Sequence, residues 1–258
     1  MLEPRPAPVL APRRAPMLEV TRLMKRFGGV TATNGCTLSV ASGTITALIG
    51  PNGSGKTTLF HQISGLIRPD GGEITLEGRR IDGRPPHAIS RAGIARTFQI
   101  TRVFPSLTLL ANLLVAAHDH PNRGGLKVPF DETAARRRAH DLLEFVGLHH
   151  LRDEPAGVLS YGQRKLLEFA RAHINEPRLV LLDEPFAGVN PVLEARMVEH
   201  IKTMRDRGVT FFVIDHEMKI IMSLCHPIIV LDHGDVIAQG TAAEIQSNPA
   251  VIEAYFGS

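Results

Sequence analysis

After Met17, short apolar runs alternate with longer stretches in which apolar residues return every three or four positions. Thr44–Ile49, Leu179–Leu182, Phe211–Ile214 and Ile228–Leu231 are nearly continuous and rich in branched or aromatic side chains, the pattern of strands buried on both faces. Between the last strands, Leu193, Met197, Ile201 and Met204 recur at helical spacing in a segment that opens near Pro191 and closes at Arg207-Gly208. Strands alternating with helices predict an α/β fold, a parallel sheet flanked by helices. The stretch from about Ile100 to Pro177 breaks this rhythm. It predicts helices around Leu109–Ala117, Asp131–Val146 and Gly162–His173 and no strand, so we read it as an all-helical subdomain inserted into the α/β core.

Residues 1–16 stand apart from this pattern. Pro4, Pro6, Pro8, Pro12 and Pro16 alternate with alanines and with Arg5, Arg13 and Arg14, a composition that cannot build a packed core and reads as a flexible tail. Prolines also interrupt any secretory apolar region there. Met17 opens the patterned part and is a candidate for the true start, a reading that an intact mass beginning at Met1 would overturn. The domain proper is expected over residues 17–258.

Composition narrows the class. A hydrophobic fraction of 43% supports a substantial core. The longest nearly apolar stretch, about Leu107 to Ala117, falls short of the roughly 20 residues that a membrane-spanning helix needs. Cys36 and Cys225 are too few and too far apart for a disulfide framework or a zinc cluster, and read as reduced, buried thiols of a cytosolic protein. The formal charge of +3 is mild and does not point to nucleic acid, which calls for a concentrated basic face.

Candidate chemistry begins with Gly50-Pro51-Asn52-Gly53-Ser54-Gly55-Lys56-Thr57, which fits G-x-x-x-x-G-K-[ST]. Glycines let successive backbone N–H groups turn inward around an anion. The helix expected over Lys56–Ile63 would point its positive end at the phosphates. Lys56 can then bridge the β- and γ-phosphates of ATP, and the Thr57 hydroxyl can hold Mg²⁺. The strand Leu179–Leu182 closes on Asp183 and Glu184, at the sheet edge where α/β folds bind ligands. Asp183 is placed to hold Mg²⁺ and Glu184 to polarise an attacking water. The strand Phe211–Ile214 likewise delivers Asp215 and His216.

A phosphate loop and an acidic strand end could serve a kinase, a GTPase or a helicase. Leu159-Ser160-Tyr161-Gly162-Gln163 separates them, because it resembles the signature motif of ATP-binding-cassette (ABC) proteins. The resemblance covers about Leu18 to Ser258 and implies a P-loop NTPase core of RecA-like type, with an antiparallel β subdomain and the inserted helical subdomain at about 100–177. It implies that Phe27 stacks on adenine and that Thr58 joins the ATP-binding loop. Gln99 would act both as a Mg²⁺ ligand and, with Glu184 and His216, in catalysis. Ser160, Tyr161, Gly162 and Gln163 would grip the ATP held by a second subunit, so the chain would work in pairs, with itself or with a paralogue.

Ser160 through Glu168, Ala187 through Pro191, Asp215 through Lys219, Gly240-Thr241, Asn248-Pro249 and Ala254 through Gly257 together resemble the longer ATPase subunit of branched-chain amino acid importers. That likeness implies two membrane permeases, an external binding protein, no nucleic-acid partner, and a cytoplasmic location against the inner face of the membrane. ATPases of other ABC systems, such as those for lipid or lipopolysaccharide, share the motor and remain the alternative, ahead of a non-transport ABC protein acting on nucleic acid. Asn190 departs from the general cassette pattern, which has aspartate at that point. His118, His120, His149 and His150 read as solvated loop histidines rather than metal ligands. Arg136-Arg137-Arg138 reads as the polar face of a helix whose apolar stripe is Ala139, Leu142, Leu143 and Val146.

Overall fold

The computed structural model describes residues 16–97, 103–117 and 131–256. In chain order its elements are β1 (Pro16–Phe27), β2 (Val30–Ala41), β3 (Ile45–Ile49), α1 (Lys56–Ile63), β4 (Gly71–Leu76), β5 (Arg79–Arg80), α2 (Pro86–Arg91) and β6 (Ile94–Arg96). There follow α3 (Leu109–Ala116), α4 (Glu132–Phe145), α5 (Tyr161–His173), β7 (Leu179–Asp183), α6 (Pro191–Asp206), β8 (Thr210–Ile214), α7 (Met218–Leu224), β9 (Ile228–Asp232), β10 (Asp235–Gly240), α8 (Ala242–Gln246) and α9 (Pro249–Phe256).

The central sheet runs β10-β9-β3-β8-β7-β6, parallel except for β10 at its edge. Its inner strands read as unbroken apolar runs because both faces are covered. Val180, Leu182, Phe211 and Val213 enter the core beneath α5 and α6, while Leu179, Leu181, Phe212 and Ile214 enter a second core shared with α1 and the antiparallel sheet. All four strands expected from the sequence are present, with ends displaced by a single residue. β6 was not foreseen. It is only three residues long, too short to show a periodicity of its own, and forms by pairing with β7.

The second sheet is antiparallel, in the order β2-β1-β4-β5. Register shifts interrupt the β1–β2 ladder between Val20 and Met24. Each shift resets the alternation of buried and exposed residues, which is why neither strand announces itself in sequence. Pro16, assigned above to the tail, already lies in β1 opposite Ala41; the rest of the tail lies outside the described residues.

Between β6 and β7 the described residues hold α3, α4, α5 and two short 3₁₀ turns, and no strand. Each helix opens on a side-chain cap: Thr108 accepts from the Ala111 N–H, Asp131 from Ala134 and Ser160 from Gln163. The basic run on α4 leaves Arg136 and Arg137 exposed, opposite buried Ala135, Ala139 and Leu143. His149 corrects the reading of a solvated histidine. It is half-buried, with Nε2 3.1 Å from His140 Nδ1, whereas His150 is exposed. His118 and His120 lie outside the described residues.

Cys36 and Cys225 are free and buried, and burial pushes both thiols up to about 12, so they stay protonated. Among the described residues no helix is long and apolar enough to cross a membrane, and no three metal-binding side chains converge.

Candidate nucleotide site

The phosphate loop leaves β3 at Gly50 and enters α1 at Lys56. Two of its glycines are required by space as much as by conformation. Gly50 has φ 153°, and a Cβ there would meet the Leu231 carbonyl oxygen at 2.0 Å. Gly55 has φ 103°, and a Cβ would meet the Ala32 oxygen at 2.1 Å. The loop is thus pressed against β9 and β2. It is also pinned from outside, since Gly234 N–H donates to Ser54 O at 2.9 Å and Asn34 N–H to Gly234 O at 2.9 Å. Burial raises the Tyr255 pKa on α9, and the Gly50 backbone acts against that rise.

Lys56 is buried, and Nζ folds back onto the loop, donating to the Gly50 and Pro51 carbonyls at 2.8 Å each and to Ser54 Oγ at 3.3 Å. Burial holds its ammonium below the usual lysine range, opposed by the nearby charge of Glu184. No carboxylate pairs with it among the described residues. The cationic end of a glycine cradle is therefore left for an anion. Asn52, Gly53 and Thr57 are exposed at its rim and Thr58 is half-buried. Phe27, at the end of β1, is 47% exposed, with Lys25 Nζ 5.5 Å from its ring centroid.

β7 and β8 end beside this loop. Asp183 is buried and its Oδ2 accepts from Arg96 Nη2 at 2.7 Å, the two side chains being 6% and 5% exposed. Arg96 also donates to Ser64 Oγ at 3.0 Å, just beyond α1. The site residue the sequence reading missed is this arginine. Its only signal was a charge directly after the apolar pair Ile94-Ala95.

Glu184 follows at φ 49°, a left-handed conformation unusual for a side chain with a Cβ. Its N–H donates to Ile214 O at 2.8 Å, and its Oε1 lies 3.0 Å from His216 Nε2. The structure thus brings Glu184 and His216 together. Asp215 sets both turns: its Oδ2 accepts from Phe186 N–H at 3.0 Å, and its Oδ1 from the N–H groups of His216 and Glu217 at 2.7 and 2.9 Å. Burial raises the Asp215 pKa, and the three N–H bonds act against that rise. Gln99 lies outside the described residues.

The signature turn is a capping box, in which Ser160 Oγ accepts from Gln163 N–H at 3.3 Å and Gln163 Oε1 accepts from Ser160 N–H at 2.9 Å. Among the described residues no hydrogen bond joins it to its own phosphate loop. Gly162 lies so close to Leu193 of α6 that a Cβ would approach Cδ2 at 2.1 Å. Asn190 caps α6, its Oδ1 accepting from Leu193 N–H at 3.0 Å.

A glycine loop at the head of a parallel strand, with carboxylates ending the strands beside it, defines a P-loop nucleotide hydrolase. The ABC transporter family matches residues 33–187, and a family described as branched-chain amino acid ATP-binding cassette transporter matches residues 236–258. The chain belongs to the ABC transporter family, as one of its ATP-binding, ATP-hydrolysing subunits.

It is similar to the high-affinity branched-chain amino acid transport ATP-binding protein BraF of Pseudomonas aeruginosa, with 42% identity over 250 residues, 94% of this chain and 98% of the relative. The probable branched-chain amino acid transport ATP-binding protein LivG of Archaeoglobus fulgidus is 42% identical over 246 residues, covering 94% and 96%. Among solved structures, a nucleotide-free ATP-binding cassette from an ABC transporter superposes with TM-score 0.84 at 34% identity, covering 94% of this chain and all of that one. The ADP conformation of an ABC transporter cassette gives TM-score 0.83 at 34% identity, covering 94% and 99%.

Proposed function

We propose that this chain energises an importer of branched-chain amino acids, with Glu184 as general base for ATP hydrolysis. The observation that carries the catalytic reading is the Glu184–His216 contact of 3.0 Å at the sheet edge beside the phosphate loop. The cargo rests on branched-chain amino acid transport by relatives aligned over 94% of this chain.

In this reading N–H groups along residues 52–57 and the Lys56 ammonium hold the β- and γ-phosphates, and Phe27 supports the adenine. Lys56 exchanges its bonds to Gly50 and Pro51 for phosphate oxygens. Thr57, Asp183 and Gln99 would hold Mg²⁺, which neutralises developing charge on the phosphates. Glu184 takes a proton from water as the water oxygen bonds to the γ-phosphorus. The bond from that phosphorus to the bridging oxygen breaks, and ADP leaves. His216 holds the Glu184 carboxylate toward the water. Ser160, Tyr161, Gly162 and Gln163 close over the ATP of a second subunit, itself or a paralogue.

Members of this family act on membrane permeases. Of the two permeases, this chain would meet one through a groove of about 610 Å³ between β6 and the helical segment, where Leu66 and Phe104 stand exposed and Arg171 lines the wall. We read residues of about 100–177 as the helical subdomain that carries motion to it. In a cell the chain would sit at the cytoplasmic face of the membrane, with an external binding protein supplying cargo.

The test is Glu184→Gln. The variant should bind ATP with unchanged affinity, hydrolyse it at least about a hundredfold more slowly, and accumulate as an ATP-bound dimer on size exclusion. Normal turnover would end the base assignment. For the cargo, deleting the gene should abolish leucine uptake, and uptake that continues unchanged would overturn it.

A further inference from the structure

The turn that bears Glu184 is gripped from the signature helix. Tyr161 and Lys165 lie one turn apart on α5, on one face. Lys165 Nζ donates to the Glu184 carbonyl at 3.2 Å, and the Tyr161 hydroxyl donates to the Ala187 carbonyl at 3.3 Å. The turn between those carbonyls is closed by Ala187 N–H donating to Glu184 O at 3.3 Å. The Tyr161 ring packs on the next residue, 3.3 Å from where a Cβ on Gly188 would stand, and Lys165 Nζ lies 5.8 Å from the centroid of that ring.

Lys165 is only 3% exposed and forms no ion pair among the described residues. A buried ammonium is expensive, and a methionine would fill the same space without that cost. Among the described residues its hydrogen bond goes to the Glu184 carbonyl oxygen, beside the Tyr161 ring. Glu184 itself stands in a left-handed conformation, φ 49°, that a side chain with a Cβ disfavours. Contacts on both sides keep it there: Ile214 O holds its N–H from β8, and Lys165 holds its C=O from α5.

We propose that Lys165 and Tyr161 are positioning residues that tie the signature helix to the Glu184 turn, so that the base moves with α5. The proposal rests on the reading of Glu184 as the base. The Ser160 turn at the head of α5 is the part that closes on a partner's ATP. Engagement of the partner's nucleotide would then pull this protomer's own base into line, and the two sites of a pair would fire together.

The experiment uses the full chain with Lys165→Met, Lys165→Arg and Tyr161→Phe. Lys165→Met should lower kcat about tenfold, the loss of one charge-assisted hydrogen bond, while KM for ATP and the affinity for ADP stay within about twofold. Lys165→Arg, which keeps the donor, should recover most of that rate. Tyr161→Phe should lower the Hill coefficient for ATP hydrolysis toward one. Hydrogen exchange should quicken over residues 184–189 in Lys165→Met and stay unchanged over residues 50–57.

A Lys165→Met protein with kcat within about twofold of the parent would overturn the proposal. So would unaltered exchange over 184–189, or a joint loss of turnover, nucleotide affinity and phosphate-loop protection. Normal turnover in Glu184→Gln would remove the base assignment instead, and the exchange measurement would still report whether the tether exists.

Discussion

Replacing Arg96 with methionine should destabilise this protein more than almost any other single polar change. Arg96 and Asp183 come from strands 87 residues apart in sequence, meet at 2.7 Å, and are 5% and 6% exposed. Water can do little for a carboxylate at that depth once its partner is gone. Breaking a buried pair from one side typically costs about 3–5 kcal/mol, because the remaining charge is stranded. Methionine fills the space of the stem but lacks the guanidinium, whose carbon lies 5.8 Å from the Phe60 ring centroid, so a cation–π contact is lost as well. The expected value is therefore about 3 kcal/mol, a large share of the 5–15 kcal/mol that holds a typical domain together.

Urea unfolding at pH 7 in EDTA, followed by far-ultraviolet circular dichroism, should show a lower midpoint with an unchanged slope. The double variant Arg96→Met/Asp183→Asn should regain about 2 kcal/mol, since no charge is then left behind. A loss below about 1 kcal/mol in Arg96→Met, or a double variant that costs the sum of the two singles, would refute the reasoning.

Other expectations are simpler to test. Gly55→Ala should weaken nucleotide binding by more than about tenfold in calorimetry, because its Cβ has no room beside the Ala32 oxygen and its φ of 103° disfavours a side chain. Stability should depend on pH through His173, a fully buried histidine whose Nδ1 bonds Phe169 O and which burial pulls from 6.5 down to about 4. The unfolded chain takes up a proton that the folded one refuses, so stability is full above pH 6.5, falls as pH drops toward 4, and levels off below that. The loss approaches about 3 kcal/mol, and His173→Gln should flatten that part of a melting-temperature profile. Asn190→Ala should cost about 1 kcal/mol of stability by removing the cap of α6, while Asn190→Asp keeps the acceptor and should be nearly neutral.

The phosphate loop and the buried strands were legible because each is a local pattern. A glycine turn before Lys56 or an apolar run before Asp183 needs only its neighbours to be recognised. The long strands β1 and β2 were not individually legible, because register shifts scramble their alternation. β6 exists only by virtue of its partner β7.

The sequence by itself determined what chemistry is present: a cradle for phosphate, a lysine, and carboxylates at strand ends. Only the tertiary structure decided how those groups are held. Arg96 reaches Asp183, Asp215 collects N–H groups from two turns, and Lys165 takes the Glu184 carbonyl. The physical reason is that hydrogen bonds and burial depend on distance in space, and the partners here are 87, 29 and 19 residues apart along the chain, beyond the reach of any local periodicity.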